Sequence, residues 1–510
     1  MARFYIENFG CRATQADGAG LERQFLERGL ERAKAARDAE IVVLNTCTVT
    51  ESADKDARAS IRRLQRVNPD CRILVTGCYA QRAPEELAAL PGVTWVVGNS
   101  HKHQAAEIAT SSSFPSAGSS SSSGFVPLGH LSLGRPSNDQ LSGDRFSNVI
   151  VGDIFAHTEL LAAPVFEAAN ERTRPNLKVQ DGCDNRCSFC VIPYVRGQSR
   201  SLPKERVIAE VRTLVEAGYR EVVISGINLG RWGRDLEGGS QLSAVSSQLR
   251  PTTDDQRLES LIRAILDQTS LKKLRISSVE PMDWSDDLIG LVAASGRIAK
   301  HAHVPMQSGS DAVLRRMHRK YRPWHYREKI LKLRAAMPTA AIGADVMVGF
   351  PGETEAEFAD TERMIEELPF TYLHVFTYSA RPGTPAAERL GQIPVAVARE
   401  RNRVLREIAS KKKAAFMRSL VGTVVEAITL QSGDAEFTEA LTDNYLKMKI
   451  FGQHDANRWM DVRVVGMNGE ILMGNAVVNA AMSEQGKPAV TQEYTEANKR
   501  IDRQPFTGLR

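Results

Sequence analysis

The sequence predicts an α/β protein in three folded parts: an N-terminal parallel α/β domain, a central partial (β/α) barrel of the TIM type, and a small C-terminal β-barrel. Three observations lead there. Apolar runs of strand length alternate with helical stretches through the first hundred residues. The same alternation resumes and repeats from about 172 to 390. From 417 to 480 the pattern changes to short strands alone.

In the first part, Phe4-Tyr5-Ile6, Ile41-Val42-Val43-Leu44 and Ile73-Leu74-Val75 are the strand-length runs. Gly20 to Ala36 and Ala53 to Val67 read as helices between them. The order predicts parallel pairing and a domain over 1–105. Residues 106–171 read as a flexible insert and linker, because Ser111-Ser112-Ser113 and Ser119 to Ser123 sit among Gly and Pro with nothing to bury.

Over 172–390, strands are expected at Glu221 to Ile224, Lys273 to Ile276, His303 to Pro305, Gly343 to Val348 and Tyr372 to Phe376. A second Ser-rich insert covers 237–256. Repeated βα units of this number suggest a barrel. Residues 391–416 read as a basic helical linker carrying Arg399, Arg401, Arg403, Arg406, Lys411, Lys412 and Lys413. Thr423 to Ile428 and Val462 to Val465 read as strands of a small barrel over 417–480, followed by a polar tail over 481–510.

The 510 residues are 42% hydrophobic and 25% charged, which is ordinary for a globular protein. No apolar run approaches the length of a membrane span. Glu7 arrives too early for the core of a signal peptide. A cytoplasmic protein with no membrane partner is expected, and a reducing compartment suits seven cysteines kept as thiols. The net charge of +5 permits a nucleic-acid partner without demanding one.

The segment Cys183-Asp184-Asn185-Arg186-Cys187-Ser188-Phe189-Cys190 carries the strongest chemical signal. It follows Leu177-Lys178-Val179-Gln180, which reads as the first barrel strand, so it falls at a strand's carboxyl end, where barrel enzymes place their chemistry. Three thiolates can hold three irons of a 4Fe-4S cube and leave the fourth without a protein ligand. Zinc usually needs four closing ligands, and no fourth Cys or His lies nearby in sequence. A disulfide knot fits poorly in so long a chain with so few cysteines.

Cys11, Cys47 and Cys78 form a second set. Each follows an expected strand within a few residues, and the carboxyl ends of parallel strands share one edge. They can converge on one object there. Cysteines are also common buried residues, and position alone leaves both readings open. Cys71, ahead of its strand, reads as structural.

The CxxxCxxC loop with an aromatic before its last cysteine resembles that of the radical S-adenosylmethionine (SAM) enzymes. The flanks Asn8-Phe9-Gly10-Cys11, Asn45-Thr46-Cys47-Thr48-Val49 and Thr76-Gly77-Cys78-Tyr79-Ala80-Gln81 resemble the N-terminal domain of the methylthiotransferases, a subgroup of those enzymes. The match continues through Arg275 to Pro281, Val304 to Ser310, Asp345 to Thr354 and Arg381 to Pro385, and the C-terminal segment resembles the RNA-binding TRAM domain.

The resemblance implies two 4Fe-4S clusters and SAM as cofactors. Cys183, Cys187 and Cys190 would ligate the cluster that cleaves SAM to a 5′-deoxyadenosyl radical. Cys11, Cys47 and Cys78 would hold an auxiliary cluster carrying the sulfur to be inserted. Ser225, Gly226 and Asn228 stand where such enzymes carry a loop near the SAM amino group. Ser278 and Glu280 would meet the ribose, and Gln307, Gly349 and Glu353 the adenine side. The competing reading of these eight is a glycine turn, a helix cap or a packed loop.

The expected partners are tRNA, an electron donor and a sulfur source. The basic helix beside a β-barrel favours RNA. Within the family, Val179 to Cys183, Ser225 to Gly230 and Ala440 to Tyr445 look most like the bacterial branch acting on threonylcarbamoyladenosine next to the anticodon of tRNA. Action on isopentenyladenosine or on a ribosomal-protein aspartate is the alternative. A non-catalytic iron-sulfur protein that binds RNA is the alternative of another class.

Overall fold

The computed structural model describes residues 2–111, 148–156, 160, 174–236 and 257–477. The expected insert at 237–256, the tail at 481–510 and most of the expected insert at 106–171 lie outside the described residues.

The N-terminal domain is a six-stranded sheet of order β2-β1-β3-β4-β5-β6. Its strands are β1 (Arg3–Asn8), β2 (Glu31–Arg32), β3 (Ile41–Thr46), β4 (Arg72–Gly77), β5 (Val93–Gly98) and β6 (Val149–Ile150). All pairings are parallel. β3 is buried along its whole length, because apolar clusters cover both faces of the sheet.

Two expectations are corrected here. The first helix runs Arg12–Glu27, not Gly20 to Ala36. It begins directly after Cys11. It ends where Gly29 takes φ +76, with its N–H on Leu26 O and the N–H of Leu30 on Phe25 O. The chain then supplies edge strand β2. Residues 106–110 and 149–150, read by composition as insert and linker, belong to helix Ala105–Thr110 and to strand β6 of this domain.

The central domain opens with β7 (Asn176–Lys178) and a short antiparallel pair, β8 (Gln180–Asp181) with β9 (Arg200–Ser201). β10 (Glu221–Ser225), β11 (Lys273–Ile276), β12 (His301–His303), β13 (Ala341–Val348) and β14 (Tyr372–Thr377) follow. Parallel pairing joins β7 to β10 to β11, and β12 to β13 to β14. Bridges at Leu274–Ile298 and Ser278–His303 connect the two halves into one arc. The strand expected at His303 to Pro305 is displaced to His301–His303, because Pro305 has no N–H for the ladder. Leu177, Ile224, Ile276, Ala302 and Ala344 point into the apolar core under the outer helices. The alternate positions, including Lys178, Glu221, Arg275, His303 and Asp345, face the inside of the arc.

The N-terminal domain closes the arc's open side. Asn176 on β7 donates to Arg12 O at 2.9 Å. Beyond β14, Ser379 accepts from the Glu51 N–H at 3.1 Å, and Arg381 pairs with buried Asp54.

The expected basic helical linker at 391–416 is helix Val395–Ser419, packed on β14. Ala398, Arg401, Leu405 and Ala409 are buried at helical spacing on one face. Arg401 pairs with Glu353 at 2.7 Å, Arg403 with Glu400 and Glu407, and Lys412 donates to the carbonyls of Glu366 and Leu368. Much of its charge therefore holds the fold.

The last domain is a closed barrel of β15 (Val424–Gly433), β16 (Phe437–Thr442), β17 (Lys447–Phe451), β18 (Trp459–Asn468) and β19 (Ile471–Ala476), in order β15-β16-β17-β19-β18. Glu426 pairs with Lys273 at 2.6 Å, and Arg275 donates to Asp443 O at 2.9 Å. These bonds seat the barrel against the central arc. Among the described residues, no helix is long and apolar enough to cross a membrane.

Candidate metal centres and the interface between them

Neighbouring strands β1, β3 and β4 end at one edge of the N-terminal sheet, and Cys11, Cys47 and Cys78 follow them. Two glycines bring the three together. Gly10 has φ +94, and a Cβ there would lie 2.5 Å from Cys47 Cβ and 2.8 Å from its Sγ. Gly77 has φ +102, and a Cβ there would clash with the Thr46 carbonyl. Only glycine permits that conformation and that closeness.

The thiols act on each other. Burial pushes the Cys47 thiol up to about 12, and the neighbouring Cys78 and Cys11 sulfurs add to the shift. Asn99 Nδ2 donates to Cys78 Sγ at 3.6 Å, and Thr14 Oγ1 lies 3.5 Å from Cys11 Sγ. Cys71 sits in the apolar cluster under the sheet, which fits a structural cysteine.

The second set shares one loop, anchored by the Cys183 N–H on Gly197 O at 3.1 Å. Burial raises the Cys183 thiol to about 11, and Cys187 and Glu280 reinforce the shift. Burial raises Cys190 to about 12, with Cys187 and Cys183 contributing. Cys183 Sγ accepts from the Asn185 N–H at 3.4 Å and from Asn228 Nδ2 at 3.7 Å, and Cys187 Sγ accepts from Arg319 Nη1 at 3.3 Å. Donors aimed at sulfur stabilise thiolate and tune a metal bound to it. Each set thus offers sulfurs that act on one another electrostatically, with polar groups donating to some of them. That is the donor set a 4Fe-4S cube with one unligated iron requires.

The eight residues expected to meet SAM fall into three groups. Asn228 stands beside Cys183, and Ser225 and Gly226 precede it at the end of β10. Ser225 Oγ is buried without a protein partner, a Cβ on Gly226 would lie 2.7 Å from Gln180 Oε1, and the Asn228 N–H donates to that oxygen at 2.7 Å. Ser278 and Glu280 lie at the rim beyond β11, where Ser278 bonds His303 Nδ1. Glu280 pairs with Arg319 and lines a small recess with Asn185, Cys187 and Tyr321. Burial raises its carboxyl, and Arg319 opposes that rise. Gln307, at φ 63, is held on β13 by its N–H to Asp345 O at 2.9 Å. Gly349 and Glu353 are turned toward the closing helix. A Cβ on Gly349 would lie 2.7 Å from Ala398 Cβ, and buried Glu353 accepts from the Gly349 N–H and from Arg401, both at 2.7 Å.

Sequence reading missed the charges between the two cysteine sets. Asp17 and Lys102 of the N-terminal domain meet Lys178, Asp181 and Arg196 of the central domain, all of them buried. Lys102 lies 2.9 Å from Asp17, Lys178 contacts Asp17, and Lys178 lies 2.8 Å from Asp181. Arg196 reaches Asp17 at 2.9 Å and Asp181 at 3.0 Å. Three cations against two anions leave an excess positive charge, and Arg196 acts electrostatically on Cys78 and Cys11. The available signal was a lysine between Leu177 and Val179 in a strand buried on both sides. The cysteine loops also touch: Cys78 packs with Val191 and Val195, just beyond Cys190, and Asn99 donates to Val195 O at 2.7 Å.

Residues 3–98 match the family described as "Uncharacterized protein family UPF0004", and residues 177–365 match the radical SAM superfamily. The threonylcarbamoyladenosine tRNA methylthiotransferase MtaB of Bacillus subtilis (strain 168) is 36% identical, over 89% of this chain and 92% of that one. The protein of the same name from Aquifex aeolicus (strain VF5) is 31% identical, over 90% and 99%. The tRNA-2-methylthio-N(6)-dimethylallyladenosine synthase of Novosphingobium aromaticivorans is 32% identical, over 84% and 87%.

Proposed function

The chain belongs to the methylthiotransferase family of radical SAM proteins, and we propose that it adds a methylthio group to C2 of N6-threonylcarbamoyladenosine next to the anticodon of tRNA. The observation that carries this reading is that the segments bearing two three-cysteine sets, each on strand-end loops, meet across one domain interface: Cys78 packs on Val191 and Val195, and Arg196 pairs with Asp17. A single set would serve radical formation alone.

Cys183, Cys187 and Cys190 would hold one 4Fe-4S cluster, and Cys11, Cys47 and Cys78 would hold the other. When bound, the first supplies the electron that splits SAM, and the second supplies the sulfur. The chain does the rest. Asn228 and Arg319 donate to the thiolates of Cys183 and Cys187. Arg196 and its neighbours place positive charge beside Cys78 and Cys11. Ser225, Gly226 and Asn228 present small and polar groups for the methionine part of SAM, and Ser278 and Glu280 face its ribose. Gln307 lies nearer the adenine side. The N-terminal domain shuts the arc and keeps water from the reacting carbon. The C2–H bond of an adenine offers no acidic proton to a base, so hydrogen must leave as an atom. The TRAM-like C-terminal barrel holds the RNA. The protein works in the cytoplasm with an external electron donor and sulfur source.

Nucleoside mass spectrometry of tRNA from cells with and without the gene tests the reading. Loss of the methylthio mark from threonylcarbamoyladenosine is expected. An unchanged profile for that nucleoside, or loss from dimethylallyladenosine instead, overturns the substrate.

A further inference from the structure

The inside of the central arc is polar where a packed barrel would be apolar. At its mouth, His303 ends β12, Asp345 lies on β13 and His374 on β14. Their ligating atoms all lie within 4.8 Å of one another, and His303 Nε2 is 3.3 Å from Asp345 Oδ1. Ser278 occupies His303 Nδ1 and so turns Nε2 toward Asp345. The rings of Tyr372 and Phe376 flank His374, with centroids 5.2 and 6.5 Å away, and Phe376 is 48% exposed.

Chains of contacts lead from the trio toward both cysteine sets. On one side, Ser278 is two residues from Glu280, which pairs with Arg319, the donor to Cys187. On the other side stands Arg12, the residue after Cys11. It donates to Tyr445 Oη at 2.9 Å, and its charge acts on His301, Tyr372 and His374. One guanidinium has five donors, so the bond to Tyr445 leaves others for a ligand.

We propose that Arg12, His303, Asp345 and His374 select the substituent on N6 of the substrate adenosine, and that they are built for a group carrying a carboxylate and hydrogen-bonding atoms. The proposal rests on the tRNA-modifying function above and deepens it. Beyond the N6–H that both nucleosides keep, a threonylcarbamoyl group brings one N–H donor, a carbonyl, a hydroxyl and a carboxylate. Arg12 and His374 take the carboxylate, and Asp345 accepts from N–H or O–H. A dimethylallyl group brings none of these atoms. It would desolvate Asp345, His303 and Arg12 and leave them unpaired, which polar sites punish severely. The flanking rings give the adenine a stacking surface.

The test measures binding of short anticodon stem-loop RNAs to the cluster-loaded enzyme with SAM, by fluorescence anisotropy. The RNAs carry threonylcarbamoyladenosine, dimethylallyladenosine or adenosine beside the anticodon. The wild-type protein is expected to prefer the first by about 10-fold or more. That ratio equals about 1.4 kcal/mol, the scale of leaving one desolvated polar group unpaired. His374→Phe and Asp345→Asn are expected to bring the ratio toward one, and Asp345→Glu to keep part of it. His374 is exposed, so its variant folds even where a change at Asp345 does not. Preference retained in both variants, or absent from the wild type, overturns the recess. A preference abolished by a chelator alone overturns direct contact in favour of a bound cation. If the wild type prefers the threonylcarbamoyl RNA and the variants do not, but no methylthio product forms, the recess stands and the proposed reaction falls.

Discussion

Arg196 Nη2 lies 2.9 Å from Asp17 Oδ2, and both side chains are 2% exposed. One residue follows the CxxxCxxC loop and the other lies on the helix that begins after Cys11. The bond therefore fastens the two cysteine loops to each other across a domain boundary.

Asp17→Asn should strip that fastening. Lys102, Lys178 and Arg196 would lose a shared counter-charge in a buried site, at a cost of about 3–5 kcal/mol. Urea unfolding of the cluster-free protein reads the loss, and an unchanged midpoint contradicts it. The pH dependence has a defined sign. Burial alone would raise the Asp17 carboxyl, but the three cations overcome it and hold it well below the usual range. The folded value is thus lower than the unfolded one of about 3.9. The stabilisation is complete above pH ~4 and disappears as pH falls from there toward the folded value. The Asn variant should show a flatter acid limb than the parent.

Gly10→Ala and Gly77→Ala should each disturb the N-terminal set. Both positions have left-handed backbone, and the added methyl meets Cys47 or Thr46. Iron after anaerobic reconstitution should fall from about eight to about four per chain. Full iron in both variants would show that the close approach is unnecessary.

Cys187→Ala and Cys47→Ala should separate the two sets. The first removes a ligand beside Arg319 and should abolish 5′-deoxyadenosine formation. The second should leave SAM cleavage largely intact and stop methylthio insertion. Methylthiolated product from the Cys47 variant would exclude that set as the sulfur site.

Arg319→Met should slow SAM cleavage by about 10–100-fold, the usual cost of losing a polar group that supports a metal ligand. It removes the donor on Cys187 Sγ and leaves Glu280 without its cation. The cluster's reduction potential should also fall, because a positive charge beside the thiolate favours the reduced form. An unchanged potential would assign Arg319 to folding alone.

The CxxxCxxC set was legible because one loop holds it, and spacing along a loop is a property of sequence. The strand ends before Cys11, Cys47 and Cys78 were legible too, since apolar runs mark strands. The start of the first helix was misplaced by two turns, because the stop signal at Gly29 is a backbone conformation and Cys11 gives no capping side-chain bond. The helix at Val395–Ser419 looked like a basic surface. Of its positive residues only Arg401 falls on the buried stripe, and only the partners Glu353, Glu366 and Leu368 reveal what Arg401 and Lys412 hold.

By itself, the order of residues determined the α/β class, the three-part division and the chemistry of the cysteine loop, because propensity, periodicity and loop spacing act over short stretches of chain. Tertiary structure alone decided that Lys178 meets Asp17 across 161 residues, that His303, Asp345 and His374 converge, and that the N-terminal domain closes the arc. The reason is that a charge or imidazole acquires its role from what lies within a few ångströms, and those neighbours come from strands whose pairing no local pattern encodes.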